Sequence, residues 1–214
     1  MPKVTLTFDN GPDPVVTPYV LDCLARHHVP ATFFVVGKQL IEPHNAAIAR
    51  RASEAGHLIG NHTYSHSTPL GQLSAAEALR EFERAEEALD WLDQPVRLFR
   101  PFGREGNLGR HLLHPAVVER LKSGGYTCVL WQSVTGDWKN PDAWMTKTVE
   151  ECRANEWSMV VLHDIPSGAM AHLNEFIRRL KQDRMEITQE FPPDCVPIVR
   201  GKIVLPLDPY CADY

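Results

Sequence analysis

The feature that most constrains this chain is an alternating segment near the N-terminus that ends in a carboxylate. Val4, Leu6 and Phe8 alternate with threonines, a period of two residues that is typical of a β-strand. The pattern stops at 9–12, Asp-Asn-Gly-Pro, a turn signal that leaves Asp9 at the carboxyl end of the strand. In parallel α/β sheets this end carries catalytic groups. Aspartate and asparagine are also common turn residues, so this segment alone leaves a purely structural role equally open.

The rest of the chain repeats the order of strand and helix about seven times. Further strands are predicted at 31–36, 57–62, 96–102, 126–134, 159–162 and near 186–191, with helices between them. Ser74 and Glu77 form a capping box at the start of the longest helix. This order predicts a parallel sheet or barrel in a single α/β domain over 1–214, with a doubly wound open sheet as the competing architecture. Residues 192–214 form a proline-rich C-terminal extension, in which a hairpin around Gly201 is expected.

Composition argues against several classes of function. The formal net charge is −5, so we expect neither a nucleic-acid partner nor a membrane partner. There is no run of about 18 apolar residues and no apolar segment before the first strand, from which we predict a cytoplasmic protein. The five cysteines show no CxxC spacing and are expected to be buried, reduced thiols. No glycine-rich phosphate-binding motif follows the first strand, which argues against a nucleotide-binding protein.

Reactive side chains recur where the predicted strands end. These are Asp9, His62, Arg100, Asp137 and His163. Because the carboxyl ends of parallel strands meet at one rim, we expect these side chains around a common site.

His62 and His66 form the most specific local pattern. If the segment between them is a helical turn, residues four apart share a face and both imidazoles can reach one ion. Two imidazoles and one oxygen ligand would leave an open position on a tetrahedral Zn²⁺, which is the arrangement of a hydrolytic metal site. A histidine pair with this spacing is by itself often structural or exposed. Its place directly after a predicted strand is what favours the metal site.

Five segments together resemble the motifs of the polysaccharide deacetylases, also called carbohydrate esterase family 4 or the NodB homology domain. In chain order they are Thr7-Phe8-Asp9-Asn10-Gly11-Pro12, His62-Thr63-Tyr64-Ser65-His66, Arg100-Pro101-Phe102-Gly103, Asp137-Trp138 and Leu162-His163-Asp164. The segment 30–37 also resembles that family's second strand, and the resemblance extends from about Val4 to Leu180. It implies a distorted seven-stranded (β/α) barrel, similar to a TIM barrel, that removes N- or O-acetyl groups with a divalent metal.

The resemblance also implies catalytic roles. Asp9 would be the general base that takes a proton from the attacking water, and Arg100 would pair with Asp9 and fix its orientation. His163 would be the general acid that protonates the leaving amine, and Asp137 would hold and polarise its ring.

The metal ligands implied by the resemblance are His62, His66 and the residue after Asp9, which is Asn10 in this chain. The family usually has a second aspartate at that position. An amide oxygen is neutral and a weaker ligand than a carboxylate, so we hypothesise a weakly held or exchangeable metal. Zn²⁺ is the expected ion, with Co²⁺, Ni²⁺ or Mn²⁺ as alternatives.

Three further residues are assigned to the substrate pocket by the resemblance. Trp138 and Leu162 would line the space for the acetyl methyl group, and the backbone N–H of Phe102 would stabilise the oxyanion. The turn at 100–103 is one residue shorter than the family's usual Arg-x-Pro-Tyr/Phe-Gly, which bears on the role of Phe102. Val134 or a neighbour stands where the family's fourth motif often has an aspartate.

The predicted function is a metal-dependent deacetylase that acts on an N-acetylated sugar or oligosaccharide, which makes an acetylated carbohydrate the expected partner. Two alternatives stay open. The same scaffold could hydrolyse another amide or imide, or the chain could bind carbohydrate without catalysis, having lost activity through Asn10. The retained groups favour an enzyme, because a binding protein needs no acid–base pair: Asp9, Arg100, Asp137 and His163.

Overall fold

The structure, a computed structural model, describes residues 1–213 with the exception of the Ser133 side chain. Its parallel strands are β1 (Lys3–Asp9), β2 (Thr32–Val35), β3 (Leu58–Asn61), β4 (Leu98–Phe99), β5 (Thr127–Cys128), β6 (Ser133–Val134), β7 (Trp157–His163) and β8 (Glu186–Thr188), followed by the hairpin of β9 (Ile198–Val199) and β10 (Lys202–Ile203). The helices are α1 (Val16–His27), α2 (Pro43–Glu54), α3 (Ala75–Leu89), α4 (Pro115–Ser123), α5 (Trp144–Ala154) and α6 (Leu173–Gln182). Within the described residues, no helix has the length and apolar composition of a membrane span. The capping box of Ser74 and Glu77 is confirmed at the start of α3.

The strand β1 lies at the centre of the sheet. It pairs along its whole length with β7, from Lys3 opposite Trp157 to Asp9 opposite His163. On its other side it pairs with β2 near the carboxyl end and with β8 near the amino end. Across the sheet the strands follow the order β5-β4-β3-β2-β1-β7-β6. If the sheet is followed around a circle that begins at β1, its strands come in the order in which they occur along the chain. A doubly wound sheet has a reversal in this order, so the curled, barrel-type architecture is confirmed and the open alternative is wrong.

The segment predicted as one strand at 126–134 is two strands, β5 and β6. Between them the backbone is bound to other partners. The N–H of Leu130 donates to the carbonyl of Cys195 at 2.7 Å, and the carbonyls of Val129 and Leu130 accept from the Arg100 guanidinium, both at 3.3 Å. In the described residues β5 and β6 do not pair with each other, so the sheet is open along this seam. The predicted seven repeats therefore contain eight parallel strands.

The predicted strand at 96–102 is also shorter than expected, because β4 covers only Leu98–Phe99. The ladder continues for one more bond, from the N–H of Arg100 to the carbonyl of Asn61 at 2.9 Å. The carbonyl of Arg100 instead accepts from a histidine ring, and Pro101 has no N–H to donate. The chain therefore leaves the sheet at this point and forms the loop beside the site.

The two faces of β1 both face protein rather than solvent. Its apolar side chains are fully buried in the main core with residues of α1 and α6: Val4, Leu6 and Phe8. Thr5 and Thr7 are fully buried on the opposite face, inside the curled sheet. The Thr7 hydroxyl donates to the carbonyl of Val160 at 3.1 Å and accepts from Arg100 at 2.8 Å. The alternation therefore separates an outer core from a polar interior.

The C-terminal extension closes the amino-terminal end of the barrel. β9 runs antiparallel to β5, with Ile198 opposite Cys128. Cys195 is buried in a small cluster with one side chain from each of four positions around the sheet: Phe34, Leu98, Val129 and Met159. The Thr5 hydroxyl donates to the carbonyl of Glu190 at 2.6 Å, which fixes the chain just before the extension. The expected hairpin around Gly201 is confirmed.

Arg100 crosses the interior directly above this cluster and is fully buried. Its guanidinium donates to Asp9 Oδ1 at 2.8 Å and to the sulfur of Met159 at 2.9 Å, and it lies 4.1 Å from the centre of the Phe34 ring. Each edge of the guanidinium therefore has a partner, which is the condition under which a buried charge is stable.

We expect Arg100→Met to lower the free energy of unfolding by about 3–5 kcal/mol, because it leaves the buried Asp9 carboxylate without its partner. Urea denaturation followed by circular dichroism measures this loss. The matched control is Arg97→Met, whose guanidinium is more than half exposed and pairs with Glu86. That change is expected to alter stability by about 1 kcal/mol or less. Equal losses in the two variants would contradict the importance of the buried pair.

Candidate active site

A cavity of about 290 Å³ opens at the carboxyl ends of the strands. Most of the residues that the sequence predicted for the site line it: Asp9, Asn10, His62, His66, Phe102, Trp138 and His163. Arg100 and Asp137 lie behind the lining, and each is bound to a residue that faces the cavity. The prediction that strand ends bring these groups together is therefore confirmed by their placement.

Leu162 is the exception, and its predicted place in the pocket lining is wrong. Its side chain is fully buried in the outer core, in the same cluster as Phe8 and residues of α6. The reason is the two-residue period of β7: when His163 and Val161 face the interior, Leu162 must face the helices. Val161 and Ile165 line the cavity instead.

Asp9 presents one oxygen to the protein and one to the cavity. Arg100 binds Oδ1 at 2.8 Å, whereas Oδ2 lies 3.7 Å from Nε2 of His62. The carboxylate is almost completely buried, and its orientation is fixed by the fully buried guanidinium. One oxygen is thus held and the other is left toward the space where a substrate would lie.

His62 and His66 do not lie on a helical turn, so that part of the sequence prediction is wrong. The backbone between them turns through Thr63 and His66, which have positive φ angles of 64° and 53°. This irregular turn still brings the two imidazole rings to 4.9 Å between centroids. The histidines converge because of the loop after β3 and not because of helical spacing.

The surroundings of both imidazoles disfavour their charged form. Nδ1 of His62 lies 2.8 Å from the carbonyl of Arg100, which can only accept, so Nδ1 carries the proton and Nε2 has a free lone pair. Burial lowers the pKa of His62. Burial and the neighbouring His62 lower the pKa of His66 to about 2. Neutral imidazoles are the form that binds metal ions.

Asn10 completes a set of donors suited to a metal ion. Its φ angle of 79° is in the left-handed region, and its Oδ1 is buried without a hydrogen-bond partner in the described residues. A buried, unpartnered carbonyl oxygen on a cavity that two imidazoles also line is a mismatch that a cation would satisfy. In the described part of the chain, no group of three or more His, Cys, Asp or Glu residues is placed to hold a metal.

His163 lies on the other side of the cavity and is bound to a buried carboxylate. Its Nδ1 is 2.8 Å from Oδ1 of Asp137, and its backbone N–H donates to Oδ2 of Asp137 at 2.9 Å. Asp137 is fully buried. Burial alone lowers the pKa of His163, but the hydrogen bond and the charge of Asp137 outweigh this effect and raise the pKa. The Trp138 ring stands edge-on to the imidazole at 4.5 Å between centroids and limits its movement.

Phe102 contributes its ring to the site in a way that the sequence did not predict. The ring lies against His66, with 3.9 Å between centroids, and so packs on one of the two histidines. In the described residues the backbone N–H of Phe102 donates no hydrogen bond within the protein. This free donor is compatible with binding an oxyanion despite the shortened turn.

Sequence reasoning missed several residues that shape the cavity. Trp131 lines it and donates from Nε1 to the carbonyl of Gly106 at 2.8 Å, which fixes the loop after β4. Glu105 and Lys139 form an ion pair of 3.5 Å between that loop and the one after β6. Trp131 lies inside a segment predicted as continuous strand, so its exposure to a cavity was hidden by the strand pattern. The two charged residues gave no signal because they lie in loops.

The curled parallel sheet thus places a carboxylate on one strand end, a carboxylate-bound histidine on the next and two further histidines nearby. The model of the polysaccharide deacetylase family matches residues 1–128. Curated relatives include a peptidoglycan-N-acetylglucosamine deacetylase of Listeria monocytogenes, 31% identical over 86% of this chain and 37% of the relative. A chitooligosaccharide deacetylase of Sinorhizobium fredii is 36% identical over 83% of this chain and 79% of the relative. The chain belongs to the polysaccharide deacetylase family.

Solved structures agree with this assignment. A T48 deacetylase solved with substrate has a TM-score of 0.71 and 29% identity, and the match covers 90% of this chain and 94% of that one. A family 4 acetyl xylan esterase of Clostridium thermocellum, solved with a cobalt ion, has a TM-score of 0.70 and 27% identity over 87% of each chain. A family 4 pseudoenzyme of Bacillus anthracis has a TM-score of 0.71 and 25% identity, covering 86% of this chain and 62% of that one. The present chain spans little more than a third of the length of the Listeria relatives.

We expect Asp137→Asn to lower the pKa of His163 below its ordinary value, because burial then acts on the imidazole without the compensating negative charge. In the unaltered protein the pKa is raised, so the ring keeps its proton to a higher pH than a free histidine. Titration of the His163 ring signals by NMR, with a chelator present, measures both values. Asp142→Asn is the control, since Asp142 is exposed and lies near a different histidine. A His163 pKa that stays raised in Asp137→Asn would contradict this account.

Proposed function

We propose that this protein is a metal-dependent hydrolase that removes acetyl groups from an N-acetylated sugar or oligosaccharide. The observation that carries the proposal is the placement of two opposite proton-transfer groups on one cavity. Asp9 is held by Arg100 on one side, and His163 is held by Asp137 on the other. Hydrolysis of an amide needs this combination, because the attacking water must lose a proton and the leaving amine must gain one.

Asp9 is suited to be the base. Its Oδ1 is occupied by Arg100, so Oδ2, which faces the cavity, is the atom that would accept a proton from the attacking water. Because the guanidinium holds the carboxylate in one orientation, no reorganisation is needed at the moment of transfer.

His163 is suited to be the acid. Nδ1 is bound to Asp137, so Nε2 is the nitrogen from which the proton would pass to the leaving amine. The raised pKa of His163 keeps more of the ring protonated near neutral pH, which is the state that an acid must have before it acts.

The donors that would hold a metal ion are Nε2 of His62, a ring nitrogen of His66 and Oδ1 of Asn10. A bound divalent ion would supply Lewis-acid polarisation of the acetyl carbonyl and acidify the attacking water. Cobalt in the Clostridium thermocellum relative supports a divalent ion. Zn²⁺ is our first choice for a set of two imidazoles and one oxygen, with Co²⁺, Ni²⁺ and Mn²⁺ as alternatives. Since the oxygen donor is a neutral amide, we expect the ion to exchange readily.

The remaining lining groups would bind the substrate. The free backbone N–H of Phe102 would stabilise the oxyanion, and Trp138 together with Val161 would enclose the acetyl methyl group. A cavity of about 290 Å³ is at the small end of ligand pockets, which supports recognition of one sugar residue in its depth. The names of the curated relatives support an N-acetylated sugar as the substrate class.

A non-catalytic carbohydrate-binding protein is the second candidate, and two observations favour it. The structural relatives include a pseudoenzyme, and Asn10 replaces the usual second aspartate of the family in this chain. The intact pairs of Asp9 with Arg100 and of His163 with Asp137 favour the enzyme. The cytoplasmic location and the single-domain organisation stay predictions.

We expect the protein, supplied with Zn²⁺ or Co²⁺, to release acetate from N-acetylglucosamine oligomers. His163→Gln should lower kcat by about 10²–10⁴-fold, since it removes the acid that protonates the leaving amine. An enzyme-coupled acetate assay measures the rate. His172→Gln is the control, because His172 is a partly exposed histidine with an exposed aspartate partner. Acetate release that is equal in the two variants would contradict the role of His163, and sugar binding without any acetate would favour the second candidate.

We expect Asn10→Asp to tighten Co²⁺ binding by about tenfold or more, because a carboxylate replaces a neutral amide among the donors. Isothermal titration calorimetry measures the dissociation constant in both proteins. Asn155→Asp adds the same charge at the exposed turn before β7, at the opposite end of the sheet, and should leave the constant unchanged. If the constant of Asn10→Asp equals that of the unaltered protein, Asn10 is not a ligand.

A further inference from the structure

Asp164 is a buried acidic residue that neither lines the cavity nor takes part in the proposed proton transfers. It follows His163 at the end of β7 and is 1% exposed. Its carboxylate accepts the backbone N–H of Gly11 at 3.1 Å on Oδ1 and the hydroxyl of Thr17 at 2.5 Å on Oδ2. Oδ1 therefore binds the segment between β1 and α1, which carries Asn10, and Oδ2 binds the first turn of α1.

The contact between Asp164 and this segment is close and specific. A Cβ atom on Gly11 would lie 2.1 Å from Oδ2 of Asp164, so the position tolerates no side chain while the carboxylate is in place. The Thr17 hydroxyl that donates to Asp164 also accepts the N–H of Asp13 at 2.8 Å. The Asp13 carboxylate in turn accepts the N–H groups of Val15 and Val16, where α1 begins. One carboxylate thus fixes both ends of the turn from Gly11 to Thr17.

The conformation of Asn10 depends on this turn. Its backbone lies in the left-handed region, its side-chain oxygen is buried without a partner in the described residues, and the residue lines the same cavity as the two histidines. The N–H of Asn10 bonds to Phe34 at 3.2 Å and holds the residue from the β2 side. The next residue, Gly11, is held by Asp164 from the β7 side. Asn10 is therefore fixed between β2 and β7. The residue that holds it from the β7 side is Asp164, which directly follows the proposed acid, His163.

We propose that Asp164 is a positioning residue that holds the turn of Asn10 and Gly11, so that the Asn10 oxygen and the His163 ring face the same cavity. This inference rests on the proposed function, because the orientation of Asn10 matters when its oxygen binds a metal ion. Removal of a group that orients a metal ligand by a hydrogen bond commonly lowers metal affinity by about 10–100-fold.

The test is a double-mutant cycle in Co²⁺ affinity. Asp164→Asn retains the size of the side chain but turns an N–H₂ group toward one of the two donors. We expect it to weaken Co²⁺ binding by about 10-fold or more. Asn10→Ala should weaken binding as well, and adding Asp164→Asn to it should cause no further loss, because the positioned group is already absent. Calorimetry gives the four dissociation constants, and urea midpoints identify any variant that fails to fold.

A second variant keeps the proposal testable if Asp164→Asn does not fold. Thr17→Val removes one donor to the carboxylate and should weaken Co²⁺ binding in the same direction. Thr148→Val is the matched control, since the Thr148 hydroxyl is equally buried but bonds only within α5. Additive losses in the cycle, an unchanged constant in Asp164→Asn, or no Co²⁺ binding by the unaltered protein would overturn the proposal. If the unaltered protein binds Co²⁺ with a non-additive cycle but releases no acetate, the proposed function fails while the positioning role stands.

Discussion

The buried pair of Arg100 and Asp9 is the interaction on which the rest of this structure depends. An unpaired guanidinium inside a protein would be strongly unfavourable, so the fold provides each of its edges with a partner. These partners come from the end of β1, from the carbonyls between β5 and β6, and from Met159 and Phe34 on two further strands. The side chain therefore joins strands that the backbone ladder leaves apart. The same contacts that stabilise the arginine also occupy the carbonyls between β5 and β6, and they hold Asp9 toward the cavity.

The spacing between the proposed base and acid follows from the sheet itself. Asp9 and His163 are register partners on adjacent parallel strands, and neighbouring strands lie about 4.8 Å apart. Both side chains face the interior, so the ladder fixes their separation. Their environments differ in the groups behind them: a guanidinium lies behind Asp9 and a carboxylate lies behind His163. Two groups on one rim thus have oppositely charged partners behind them, both of them buried away from the cavity.

Much of the site could be predicted from sequence because strand ends are marked by local patterns. The turn after Asp9, the two histidines after β3 and the aromatic and acidic residues near β6 all lie where their motifs indicated. The errors have physical causes that a local pattern does not contain. The motif places Leu162 in the pocket, but the two-residue period of β7 turns it outward. The HxxxH spacing suggested a helix, but the loop after β3 has two residues with positive φ. Trp131, Glu105 and Lys139 act through contacts between distant loops, which only the folded chain brings together.

The C-terminal extension has an electrical consequence for a site at the other end of the barrel. Cys195 fills the interior next to the side chains that surround Arg100, and water is thereby kept from the underside of the guanidinium. The attraction between opposite charges grows as the dielectric constant of their surroundings falls. The extension contributes no side chain to the cavity, but it lowers the dielectric constant around Arg100 and so strengthens the attraction between Arg100 and Asp9. The strength with which Asp9 is held therefore depends on residues almost two hundred positions further along the chain.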